Sequence, residues 1–177
     1  MKRLVDKLKS LIFILFSIIS ISPLWPIGPS LAGDPFIIVN KEINQVAFIK
    51  DGEVKKVYKA ATGKTDDLTP EGLFTVTVKA INPYYRKLNI SGGLPENPLG
   101  TRWIGFDALD TDGRTYGIHG TNRPYSIGYY VSLGCIRLRN EDVEELFEFV
   151  PIGTKVFITK TWKSFEQIGI EKGVIYP

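Results

Sequence analysis

Leu73-Phe74-Thr75-Val76-Thr77-Val78-Lys79 alternates apolar and polar side chains with a period of two, the pattern of a strand with one face in a core. Phe74, Val76 and Val78 fall on one side, and Thr75, Thr77 and Lys79 on the other. Outward from this stretch, the chain continues to read as strands. Phe36–Asn40 is a short aromatic and β-branched run. Gln45–Lys50 and Glu53–Ala60 flank Asp51-Gly52, a pair that meets the positive-φ demand of a two-residue hairpin turn. Trp103–Phe106, Thr115–Ile118 and Lys155–Thr159 complete the set. One helix is expected. Val143, Leu146, Phe147 and Val150 recur at i, i+3, i+4 and i+7, Asn140 stands where a cap is needed, Glu141 and Asp142 suit the positive end of the dipole, and Pro151 stops it. The expected fold is mainly β, a compact sandwich or barrel-like sheet with one docked helix, built as a single domain over residues 33–177.

Composition narrows the chemistry. The 177 residues are 44% hydrophobic and 23% charged, an ordinary globular balance, with one His and one Cys. A single cysteine excludes an intramolecular disulfide, and one His with one Cys cannot build a zinc finger. Only a carboxylate-rich site leaves room for a catalytic zinc, and neither a bound metal nor a cofactor is expected.

The first thirty residues read as an export leader. Lys2, Arg3, Lys7 and Lys9 precede the apolar run Leu11–Ile21, and Ser30-Leu31-Ala32 supplies the small residues of a cleavage site before Gly33. An uncleaved membrane anchor is the alternative, although Pro23, Pro26 and Pro29 leave the helical part shorter than the ~20 residues a span needs. Either reading places the domain outside the cytoplasm. The leader holds four of the 22 Lys and Arg and one of the 19 Asp and Glu, leaving 18 of each. A formally neutral domain lacks the electrostatic footprint of a nucleic-acid binder.

Ile81–Gly100 is the longest aperiodic segment, with three Pro and three Gly. Tyr84, Tyr85, Arg86 and Lys87 within it point to a flap over a substrate, against the alternative of a solvated connection. The chemistry then falls to His119 and Cys135. An unpaired thiol in an exported protein is exposed to oxidation, so either it is buried and inert or it is used. Gly134 before it permits close backbone approach, and Arg137 two residues on favours a thiolate. His119 ends the Thr115–Ile118 strand. If that strand pairs with Cys135–Arg139, the excursion between them closes and brings thiol and imidazole together as a catalytic dyad.

His119-Gly120-Thr121, sixteen positions ahead of Ser132-Leu133-Gly134-Cys135-Ile136-Arg137-Leu138, resembles the signature of the L,D-transpeptidase catalytic domain (YkuD type). Ala61-Thr62-Gly63, Thr69-Pro70-Glu71-Gly72, Asn97-Pro98-Leu99-Gly100 and Gly153-Thr154 resemble other parts of the same family, so the likeness spans roughly residues 36–160. One position departs: many members carry a second His where this chain has Leu133.

The resemblance implies an exported enzyme of peptidoglycan biosynthesis and cell wall organisation. Its Cys135 attacks the third residue of a tetrapeptide stem, releasing D-Ala, and passes the acyl group to an amine of a second stem. His119 acts as acid and base, and backbone N–H groups at Gly134 and Cys135 are candidates to stabilise the oxyanion. Arg137 is expected to bind a substrate carboxylate, or else to form a scaffold ion pair with a helix carboxylate. Ser132 either orders the loop or merely forms a turn. Trp103, Tyr125 and Arg123 either line the donor cleft or belong to the core. A monomer that carbapenem-type inhibitors acylate is expected. The alternatives are an L,D-carboxypeptidase, with water as acceptor, and a non-catalytic wall-binding module. Residue order and spacing disfavour sortase-like and papain-like sites.

Overall fold

All five residues of β1 (Phe36–Asn40) are buried, because both faces of the strand are covered. The computed structural model describes residues 31–177; the expected leader, apart from its last two residues, lies outside them. Ile37 and Val39 face one core with Val46, Phe48, Ile104, Ile118, Ile136 and Ile158. Phe36 and Ile38 face a second core with Ala47, Ile49, Phe165, Ile168 and Val174. A strand buried on both sides reads as a continuous apolar run, without alternation.

β1 pairs antiparallel with β2 (Gln45–Lys50) and parallel with β10 (Lys155–Thr159). β3 (Glu53–Lys59) completes the expected hairpin, with Asp51 and Gly52 both at positive φ (54° and 75°). Beyond β10 come β5 (Gly72–Ile81), β6 (Arg102–Phe106), β7 (Tyr116–His119) and β9 (Ile136–Arg137). The result is one eight-stranded curled sheet ordered β3-β2-β1-β10-β5-β6-β7-β9, with β7 and β9 parallel. The short strands β4 (Thr62–Gly63) and β8 (Tyr130–Ser132) pair beside it. The mainly β expectation holds.

The helix α1 (Asn140–Phe149) buries Val143 and Leu146 against the first core, with Val150 closing it. Asn140 is not its cap. Arg139 occupies the cap position, and the Asn140 side chain turns away to bond elsewhere. A second helix, α2 (Phe165–Glu171), covers the far side of the sheet, so the expectation of a single helix is corrected. Ser164 and Gln167 form a reciprocal capping box at its start.

A further correction concerns β5. The register against β6 shifts between Val76 and Val78, so Val76 pairs with Phe106 but Val78 pairs with Gly105. One extra residue reverses every side chain beyond it. Val76 faces the core, whereas Val78 and Ala80 face the opposite side, where a cavity opens.

Candidate active site

The ladder β6-β7-β9 decides which side chains can meet. Ile104, Ile118 and Ile136 pair across it and are fully buried in the first core. Trp103, His119 and Arg137 pair across it one step on, so they share the other face. Cys135 precedes Ile136, and the same alternation sets it on the face of Arg137, beside Gly117. The excursion from Gly120 to Gly134 therefore closes as expected, and the single His and single Cys lie on one face of paired strands. A cavity of about 450 Å³ opens on that face, walled by Val78, Ala80, Tyr85, Trp103, Thr115 and Cys135 among others, with His119 and Arg137 beside its lining rather than in it.

Each candidate group is held by identifiable bonds. His119 is 4% exposed, its ring stacks on Trp103 at 5.4 Å between centroids, and Nδ1 lies 2.6 Å from the Gly120 carbonyl oxygen. A carbonyl can only accept, so the proton sits on Nδ1 and the lone pair on Nε2. Burial pushes the imidazole down to about 4, helped by the Arg137 charge and opposed by the Gly120 and Leu99 carbonyls. The Trp103 indole lies flat along the sheet because Gly105 and Gly117 lack side chains there. A Cβ on either would stand 2.5 and 2.7 Å from the ring. Its N–H donates to the Gly113 carbonyl at 2.9 Å.

Cys135 Sγ donates to the Thr115 carbonyl at 3.4 Å. Burial pushes the thiol up to about 11, against the lowering influence of the Gly117 N–H and of Arg137. Burial thus opposes the expected thiolate in the resting site, against the pull of the cation, and favours a neutral thiol with a neutral imidazole.

Ser132 is an organiser of the loop. Its hydroxyl donates to the Cys135 carbonyl at 2.6 Å and accepts from the Gly134 N–H at 3.0 Å. That bond occupies the Gly134 N–H, and the Cys135 N–H is the backbone donor beside the sulfur with no such partner among the described residues. Gly134 is needed for its shape: φ is 130°, and a Cβ would stand 2.5 Å from the Leu68 carbonyl. Its own carbonyl accepts from Thr69 Oγ1 at 2.9 Å.

Arg137 is half-buried, and among the described residues it forms no ion pair, so the scaffold alternative does not hold. Its surroundings include the thiol, Tyr85 and the like charge of Arg123. Trp103 is both core and cavity wall. Tyr125 is 76% exposed on the turn Pro124–Ser126 and stands apart from the cavity lining, as does Arg123. Tyr84, Tyr85, Arg86 and Lys87 of the aperiodic segment do line the cavity. Thr115, Val78 and Ala80 were not legible as site residues. The first contributes a backbone carbonyl, and the others reach the cavity only through the bulge in β5.

A curled β sheet with a buried imidazole and a thiol on one face, opening into a cavity with cationic walls, defines the class as a cysteine–histidine domain. The family model for the L,D-transpeptidase catalytic domain (YkuD) matches residues 34–158, and the chain belongs to that family. It is 64% identical to YqjB of Bacillus subtilis (strain 168) over 152 residues, covering 85% of this chain and 86% of that one. It is 41% identical to YkuD of the same organism over 110 residues, 62% of this chain and 57% of the relative. Among solved structures, the catalytic domain of an E. faecium L,D-transpeptidase superposes with a TM-score of 0.56 at 29% identity, over 73% of this chain and 100% of that one. The Ldtfm–avibactam carbamoyl enzyme superposes with a TM-score of 0.59 at 28% identity, over 72% of this chain and 49% of that one.

Proposed function

We propose that this protein is an exported cysteine L,D-transpeptidase that cross-links peptidoglycan stem peptides. The observation that carries the reading is the row Trp103–His119–Arg137 across one face of the ladder, with Cys135 beside it in the cavity wall.

The neutral resting pair sets the order of events. Cys135 Sγ attacks the carbonyl of the third stem residue while its proton passes to His119 Nε2, so charge develops only as the C–S bond forms. The Cys135 N–H faces the developing oxyanion. The C–N bond then breaks, the imidazolium returns the proton to the departing D-Ala amine, and a thioester remains. An amine of a second stem attacks the thioester, His119 takes its proton, and the sulfur leaves as the thiol on receiving that proton. Water in place of the amine gives an L,D-carboxypeptidase by the same steps.

Arg137, a half-buried cation without a carboxylate partner among the described residues, is suited to a stem carboxylate. The avibactam carbamoyl adduct of the related enzyme supports reaction of the nucleophile here with avibactam-type inhibitors as well. Incubation of residues 33–177 with defined disaccharide-tetrapeptides, with the products weighed, tests the proposal. Cross-linked dimer with loss of D-Ala is expected, tripeptide alone identifies the hydrolase, and unchanged substrate overturns both.

A further inference from the structure

The half-buried side chain with the most informative bond outside the dyad is Asn140. It is the first residue of α1, yet its Oδ1 accepts from the Thr121 N–H at 3.0 Å. The oxygen is wedged between two backbones, since a Cβ on Gly100 or on Gly120 would stand 2.2 Å from it. The peptide unit it holds is the one joining Gly120 to Thr121, and the carbonyl of that same unit is what His119 Nδ1 bonds. A trans peptide is planar, with its N–H and C=O pointing in opposite directions. Anchoring the N–H therefore aims the carbonyl, and bonds at both ends of one amide polarise each other.

We infer that Asn140 is a positioning residue for His119: through the Gly120–Thr121 peptide it keeps the proton on Nδ1 and the lone pair on Nε2. The Leu99 carbonyl also bears on the imidazole, but the other bonds around the Gly120–Thr121 peptide do not fix its plane. The Gly120 N–H is held by the Arg102 carbonyl and the His119 carbonyl by the Leu138 N–H, which secure the strand but not the next peptide plane. Thr121 is 3% exposed, so the Asn140 oxygen takes the place that water fills at an open turn. The inference rests on the proposed role of His119 as base, and deepens it.

One His in the chain makes the test direct, because a single imidazole contributes to the ring-nitrogen spectrum. In the wild type, Nδ1 should resonate as a protonated nitrogen and Nε2 as an unprotonated one at pH 7. Asn140→Ala should mix the two tautomers and lower kcat by about 10- to 100-fold with KM little changed. Asn140→Asp keeps the acceptor and should retain the wild-type nitrogen pattern. An Ala variant that folds and keeps the wild-type pattern overturns the inference, and so does a loss of kcat without any change in the nitrogens. Mixed tautomers with undiminished turnover would leave the positioning role standing and sink the role of His119 as base. Should Asn140→Ala fail to fold, hydrogen exchange at the wild-type Thr121 amide decides: protection supports the bond, and exchange at the rate of an open chain overturns it.

Discussion

The indole of Trp103 stacks on the imidazole of His119 at 5.4 Å and 20°, the two being direct cross-strand partners on β6 and β7. This contact makes the histidine what it is. A ring covered by an indole on one side and rooted in a sheet loses its water, and the imidazole falls to about 4.

Trp103→Ala should cost about 3–5 kcal/mol, because it empties a site built around a flat ring lying over Gly105 and Gly117. Water then reaches His119, whose titration, followed by ring NMR, should move up toward the ordinary value near 6.5. Trp103→Phe keeps a ring over the imidazole and should shift it less. An Ala variant in which His119 still titrates near the wild-type value would show that the indole is not what desolvates it.

Cys135→Ala removes the nucleophile but none of the bonds that shape its loop, since Ser132 and Thr69 act on backbone atoms. Turnover should vanish with the melting temperature little changed. His119→Gln should slow acylation by about 10²–10⁴-fold. Intact-mass kinetics with a carbapenem reads both, and an adduct on Cys135→Ala would place the nucleophile elsewhere.

The sequence carried the strands near the site: Trp103–Phe106 and Thr115–Ile118 read as strands, and pairing of the latter with the stretch after Cys135 sets His119 and Cys135 on one face. It hid what depends on one-residue displacements. The bulge in β5 turns Val78 toward the cavity although its pattern continues that of Val76. Asn140 resembles a cap because a residue type preferred there stands one position late, where its oxygen finds a different donor. The opposing pull of burial on Cys135 escaped for a similar reason. Arg137 is adjacent in sequence and visible, whereas desolvation comes from the whole fold. The helix α2 was within reach through the pair Ser164 and Gln167.

Arg137→Ala should impair reaction with donors that carry a free carboxylate far more than with amidated donors, because the guanidinium has no scaffold partner to lose among the described residues. Arg137→Lys keeps the charge without the planar fork and should fall between. Comparison of kcat/KM on the two donor types checks this; equal losses on both would reassign Arg137 to orienting the nucleophile.

Acid should destabilise the protein through His119 before it titrates most carboxylates. The folded imidazole is held down at about 4 and the unfolded one is near 6.5, so between these values the unfolded chain binds a proton that the native state refuses. The stabilisation is complete above pH 6.5 and is lost as pH falls toward 4. At 1.36 kcal/mol for each pH unit the loss reaches about 3 kcal/mol. Asp142, whose carboxyl is raised by burial, works with the opposite sign over part of this range, but it is common to wild type and variant and cancels in their difference. Denaturant unfolding between pH 6.5 and 4.5 should thus show a steeper loss for the wild type than for His119→Gln, which has no imidazole to protonate. Parallel curves for the two proteins would mean that the native site accepts the proton at the ordinary pH, and that burial does not hold the imidazole down.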